Sequence, residues 1–258
     1  MIRSALSRRW LLIPILLSAC RGSLSPLSNK IQVGREPYVV FVADGEDGLG
    51  DLYASAPTGG TAWQITFTRV DEGLPTLSRD GTVLAFIRSR APGDDRDHDL
   101  IVMSLLNGAE RSVKLAGLPP TGLAWSTDGS RLYVRQGGEL VATPAPPATL
   151  QPIPVPEAER AAADSALGVA LGSPAVAMAV PCDSGGGICA RFANGSRQTI
   201  TPTGTNPVRW TGDSIGYEDG GEWVVRPLAG GRIRSITWGA SIHHPRGLTV
   251  FGGAMPMP

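Results

Sequence analysis

Three cysteines, three histidines and two acidic loops are the residues of this 258-residue chain best equipped for chemistry. Cys182 and Cys189 flank Asp183-Ser184-Gly185-Gly186-Gly187-Ile188. A Gly-rich turn between two apolar runs sets the two cysteines across a hairpin, and in an oxidising compartment the expected product is a disulfide. The alternative is a pair of reduced, buried thiols. A zinc site is not expected, because no second pair of ligands has suitable spacing. His243 and His244 are adjacent, and His98 lies far away in sequence. Strand neighbours point to opposite faces, so the adjacent pair is poorly placed to chelate one ion. Asp44 to Asp51 and Gly93 to Asp99 concentrate carboxylates of the kind that hold calcium. Neither run matches the twelve-residue calcium loop with its terminal glutamate. Both are expected to be solvated turns, with Asp51 and Asp99 bonding local backbone amides. There is no Gly-x-Ser-x-Gly elbow, and Gly45 to Gly50 lacks the Gly-Lys-Ser/Thr ending of a phosphate loop. The residues thus predict no catalytic set, no metal and no cofactor.

The third cysteine has a different context. Residues 1–9 contain Arg3, Arg8 and Arg9 and no acid; Trp10 to Leu17 is an apolar run, and Leu17-Ser18-Ala19-Cys20 follows. This order of charge, apolar run and small residues is that of an export signal. The run is too short to span a bilayer, which needs roughly 20 apolar residues. Small residues before a cysteine resemble the lipobox of bacterial lipoproteins. The resemblance implies cleavage before Cys20 and a diacylglycerol on its thiol, with an ordinary signal peptide as the alternative. Residues 1–19 are accordingly expected to be a signal peptide and residues 20–29 a lipidated polar tether. Arg21 follows the cysteine where the family rule for inner-membrane retention has an aspartate, which leans toward the outer membrane, facing the periplasm.

Composition sets the frame. The chain carries 23 basic and 23 acidic groups, with Gly 33 and Pro 22. Removing the three signal arginines leaves a slight acidic excess, which gives no pull toward nucleic acid. Frequent Gly and Pro favour many turns and short strands.

The elements that position these groups emerge from an internal repeat. Leu77-Ser78-Arg79-Asp80-Gly81, Trp125-Ser126-Thr127-Asp128-Gly129 and Trp210-Thr211-Gly212-Asp213 each precede alternating apolar positions. Asp-Gly between apolar runs predicts a hairpin. The spacing from Trp125 to Trp210 is about twice that from Leu77 to Trp125, so a weaker unit is placed at Leu171 to Met178. Early and late copies are read at Val33 to Phe41 and His244 to Phe251. Third strands are predicted at Asp51, Asp99, Glu139 and Glu222. Fourth strands follow Gly-rich turns at Trp63, Arg111, Arg197 and Arg232. Four short antiparallel strands, repeated, predict an all-β propeller over residues 30–258. Six copies of the inner hairpin make about six blades the first expectation, the last incomplete and closed by a strand near Lys30 to Val33; five blades is the alternative. The Ala-rich stretch Glu157 to Ala166 is read as a helical turn or a loop. Trp125, Trp210 and Trp223 fall at repeat positions and are expected to pack blades.

Trp125 to Val134, Asp51 to Thr66 and Asp99 to Leu115 resemble the repeats of TolB-like propellers, also called PD40 or WD40-like repeats. In that family an α/β domain precedes the propeller, for which the span before residue 30 has no room. The resemblance implies a binding or scaffolding protein of the cell envelope, without enzymatic activity, whose partner is another envelope protein. The alternative is a small-ligand-binding or enzymatic propeller with its site in the central channel.

Overall fold

The computed structural model describes residues 25–252 apart from 46, 94–95, 116, 147, 169–175, 183–185, 193, 212 and 240–241. The first sheet contains β1 (Tyr38–Asp44), β2 (Gly50–Ser55) and β3 (Ala62–Gln64), and the second β4 (Glu72–Leu77), β5 (Val83–Ser89), β6 (His98–Ser104) and β7 (Glu110–Leu115). The third is built from β8 (Pro120–Trp125), β9 (Arg131–Gln136), β10 (Glu139–Pro144) and β11 (Ile153–Pro154), followed by helix α1 (Glu157–Leu167). The fourth has β12 (Val176–Pro181), β13 (Ile188–Phe192) and β14 (Arg197–Thr201). The fifth has β15 (Thr205–Trp210), β16 (Ser214–Asp219), β17 (Glu222–Pro227) and β18 (Arg234–Ile236). The last strand, β19 (His243–Phe251), returns to the first sheet and pairs antiparallel with β1, from Tyr38 opposite Phe251 to Asp44 opposite His243. The chain is a five-bladed β-propeller.

The first expectation of six blades is therefore corrected to the five-bladed alternative. The early and late repeat copies are two strands of one blade, so counting each as a hairpin counted that blade twice. Closure also differs from the expectation. Residues 30–33 form no strand, and the C-terminal strand completes the first blade. Pairing β1 on both sides leaves no open edge at the seam, which is what closure of a ring accomplishes.

The repeat sequence builds its turns by one device. Ser78 Oγ donates to Asp80, whose carboxylate accepts from the Thr82 amide at 3.1 Å, while the Val83 amide donates to Ser78 Oγ at 3.0 Å. Ser126, Asp128, Ser130 and Arg131 repeat the pattern at 2.6, 3.0 and 3.0 Å. The Ser126 hydroxyl and the Ser130 amide hold the Asp128 carboxyl down at about 2. At Asp80 partial burial works the other way, but the bonds from Ser78 and Thr82 outweigh it and its value is lowered. Gly81 and Gly129 supply the positive φ that these turns require.

The core is divided among the blade interfaces. Tyr38, Val40 and Leu52 of the first blade meet Leu84, Phe86 and Met103 of the second. Ala85 and Leu100 meet Leu132 and Val134 of the third, and Ile188 and Ala190 of the fourth meet Ile215 and Tyr217 of the fifth. Phe41 and Ala43 close the circle against Trp210, Trp223 and Trp238. Each fully buried Val, Leu, Ile, Phe or Met side chain among these contributes roughly 1.5–3 kcal/mol by leaving water. Trp210 and Trp223 are buried and Trp125 half-buried, so the repeat tryptophans do pack blades.

The fourth blade is the irregular one. Its three described strands occupy the second, third and fourth positions of a blade, and the expected inner start at Leu171 lies outside the described residues. The Ala-rich stretch is a helix. Its acidic first turn, Glu157 and Glu159, suits the positive end of the helix dipole. It packs on the third blade through Ala163 against Tyr133, Leu140 and Ala142, and is clamped by Arg131–Glu159 and Arg135–Asp164 ion pairs, both 2.6 Å.

Candidate functional site: the channel mouth and its rim

Antiparallel alternation gives the ring two unlike ends. The β4–β5, β6–β7 and β8–β9 turns lie at one end, with the N-terminal segment. The turns between second and third strands, including the β1–β2, β5–β6 and β9–β10 loops, lie at the other, with the crossovers between blades. The axial cavity opens at this second end. Its volume is about 580 Å³, and its wall comes from the first halves of β4, β8, β15 and β19, with Leu167 from the end of α1.

Those inner strands are irregular where they line the cavity. Register shifts occur between Gly73 and Thr76, Pro120 and Gly122, and Thr205 and Val208. Leu74 and Asn206 adopt positive φ values of 50° and 51°. For a leucine this is a strained conformation, costing on the order of 1–3 kcal/mol, and such residues concentrate at functional sites. Among the described residues the lining is chiefly apolar or backbone, including Val42, Pro75, Leu123, Val208 and Leu248, with Arg246 as the charged side chain.

Arg246 donates to Asp44, and this pair separates the channel from a second recess of about 860 Å³. That recess is bounded by Asp44, Asp47, Asp51, Tyr53, Gln64 and Phe67. Phe67 is 77% exposed, unusual for an aromatic side chain. Asp51 is buried and accepts from Gln64 Nε2 at 2.9 Å and from the Thr68 amide at 3.2 Å. Burial raises its carboxyl above the usual value, and Asp47 adds to this.

The acidic loops behave largely as turns. Asp47 accepts from the Leu49 amide, Asp99 pairs with Arg90 at 2.9 Å, and Asp97 lies 3.6 Å from Lys114. Asp51 and Asp99 differ in detail from the expectation. Their partners are a distant amide and side chains, because both residues sit inside strands where neighbouring amides are already taken by the ladder. Among the described residues no three His, Cys, Asp or Glu side chains converge as a metal site. His98 is buried at the start of β6, and His243 and His244 open β19.

Beside the recess, between the first and second blades, lies a polar cluster. Thr66 Oγ1 donates to Glu72, Arg88 Nε donates to Glu72 at 2.8 Å, and the two Nη groups of Arg88 donate to Glu110 at 2.8 and 3.0 Å. The Glu72 side chain has no exposed surface. Burial raises its carboxyl despite the Thr66 and Arg88 bonds. Arg88 is held protonated because its glutamates outweigh its own desolvation.

The structure joins Cys182 to Cys189 across the β12–β13 turn, with Cα atoms 5.2 Å apart. On the loop-closure argument, Cys182→Ser is expected to lower stability by about 2 kcal/mol, because the closed loop is short. A urea melt of the oxidised protein against the variant checks this, and alkylation before reduction should leave both thiols unlabelled. Cys20 lies outside the described residues. Arg246, Leu74, Asn206, Phe67 and the Glu72–Arg88 cluster were not singled out by motif reasoning. Leu-Pro and Asn-Pro at the start of two inner strands were the available signal for the bulges.

No protein-family model matches the chain, and no curated protein matches it. Among solved structures it is similar to TolB from Acinetobacter baumannii, with a TM-score of 0.44 and 14% identity over 77% of this chain and 52% of that one. It is also similar to the Cps50 (Swd1) β-propeller domain of Myceliophteria thermophila, at TM-score 0.31 and 12% identity over 72% and 67% of the two chains. A third is the dihydro-heme d1 dehydrogenase NirN, at 0.32 and 19% over 77% and 43%. The chain spans about half the length of the TolB structure.

Proposed function

We propose that this chain is a lipid-anchored protein of the bacterial cell envelope, held at Cys20, whose propeller binds another envelope protein through the end where the channel opens. The observation that carries the reading is Phe67, exposed beside an open recess with carboxylates at its edge. An aromatic anchor next to a pocket with a polar rim is the arrangement of an interface hot spot. The irregular inner strands add fixed backbone groups at the same end. The described lining of the channel, chiefly apolar or backbone, supports a binding role. The Arg21 context supports an anchor in the outer membrane, facing the periplasm.

The test is in-cell crosslinking of the tagged chain, followed by identification of what co-purifies from membranes. Wild type is expected to capture specific envelope proteins, and Cys20→Ala to lose them with its membrane association. Phe67→Ala should fold normally and capture at least about tenfold less, corresponding to roughly 1.4 kcal/mol or more at a hot spot. An unchanged capture profile in Phe67→Ala would remove this surface from the interface. A clean preparation from wild type would shift weight to a small ligand in the axial cavity.

A further inference from the structure

The N-terminal segment does not hang free of the ring. Ser25 Oγ donates to the Leu105 carbonyl at 2.6 Å, and Leu27 is completely buried among Leu105, Met103 and Phe86. Beyond it, Gly34 lies against Asp80 and Thr82, and the Tyr38 hydroxyl donates to the Gly81 carbonyl. The segment is thus fastened across the β4–β5 and β6–β7 turns of the second blade, and Pro26 also borders the groove between the first two blades that Phe67 and Arg88 line. Cys20 is five residues before Ser25, and a fully extended chain of that length reaches only about 17 Å. Beside the attachment point, in the β6–β7 turn, Leu106 is 58% exposed. Lys30, Arg35 and Arg79 are exposed at the same end, together with Glu36 and Asp80.

We infer that this end of the propeller lies against the bilayer that holds the acyl chains of Cys20, with Leu106 at the contact and the channel mouth directed away from the membrane. The inference rests on the reading of Cys20 as the lipid anchor. It follows from reach. Strands of six or seven residues make the ring roughly 20 Å thick, so a tether of about 17 Å that starts beside the β6–β7 turn holds that turn nearer the surface than the β9–β10 turn of the next blade. The short leash fixes an orientation, where a long flexible tether would leave the ring free to tumble.

The experiment uses the full lipidated chain in vesicles containing nitroxide-headgroup lipids. A fluorophore is attached to a single introduced cysteine, at Leu106→Cys in one protein and at Glu139→Cys, at the start of β10 beside the β9–β10 turn at the far end, in another. Vesicle flotation, with Cys20→Ser as the control, reports on the anchor alone. Among floated protein, quenching at position 106 is expected to be at least threefold stronger than at position 139. Insertion of twenty Gly/Ser residues between Leu24 and Ser25 should erase most of that difference. Equal quenching at both positions in floated protein, or stronger quenching at position 139, overturns the orientation while leaving the anchor standing. Flotation that Cys20→Ser does not reduce overturns the anchor reading, and the orientation with it.

Discussion

Removal of residues 243–258 is expected to abolish cooperative folding of the whole ring. The truncation deletes β19, the inner strand of the first blade, and leaves β1 with one bare edge. It also strips the first and second blades of Phe251, which is buried against Tyr38 with ring centroids 5.5 Å apart, and the fifth-blade interface of Leu248. A ring distributes its core among interfaces, so opening one seam exposes the edge strands on both sides. Phe251→Ala is the milder probe. It should cost about 3–5 kcal/mol, the usual range for emptying an aromatic site in a core, while retaining a single unfolding transition. Thermal and urea melts followed by circular dichroism decide both cases. A truncated chain that still melts cooperatively within a few degrees of wild type would show that β19 is dispensable and that closure contributes little.

Replacing Arg88 by leucine is expected to cost about 3–5 kcal/mol at neutral pH, because it leaves the Glu72 carboxylate buried without its counter-charge. The converse change, Glu72→Gln, should cost less, since Arg88 keeps its two bonds to the partly exposed Glu110. The two variants also differ in pH dependence. The Glu72 carboxyl is already raised by burial, and losing Arg88 removes two of the effects that oppose the rise. A carboxyl whose folded value lies above its unfolded value adds stability fully below the unfolded value, and loses it as pH rises through the folded one. The deficit of Arg88→Leu should therefore be largest near pH 7 to 8 and shrink as the buried acid becomes protonated toward about pH 4. Urea midpoints measured at both ends of that range test it. An identical deficit at each pH would mean that Glu72 is not the group left stranded.

The architecture was legible where the sequence repeats a turn. Ser78-Arg79-Asp80-Gly81 and Ser126-Thr127-Asp128-Gly129 use the same hydroxyl and carboxylate bonds, so their likeness in sequence is a likeness in structure. Blade number was less legible, because a strand at one end of the chain does not reveal that its partner lies at the other. Val33 to Phe41 and His244 to Phe251 each look like the start of a unit, and only the pairing of β1 with β19 makes them one. The Glu72–Arg88–Glu110 cluster left no trace, since its members come from three different strands at positions outside the recurring motif. Phe67 follows Thr66 in a crossover where nothing in the residue types separates an exposed aromatic from a buried one. Leu74 shows the same limit: leucine carries no preference for positive φ, so only the following proline hinted at a bend.

The seam between β1 and β19 also sets a timetable. Tyr38 must wait for Phe251, so the first blade cannot be completed until the chain through residue 251 exists. Contacts between such distant residues form slowly, and an unpaired strand edge is open to association meanwhile. On the proposed export by threading, late closure is useful, because premature folding would block passage. The same delay makes the unclosed chain a client for protection against aggregation until β19 arrives.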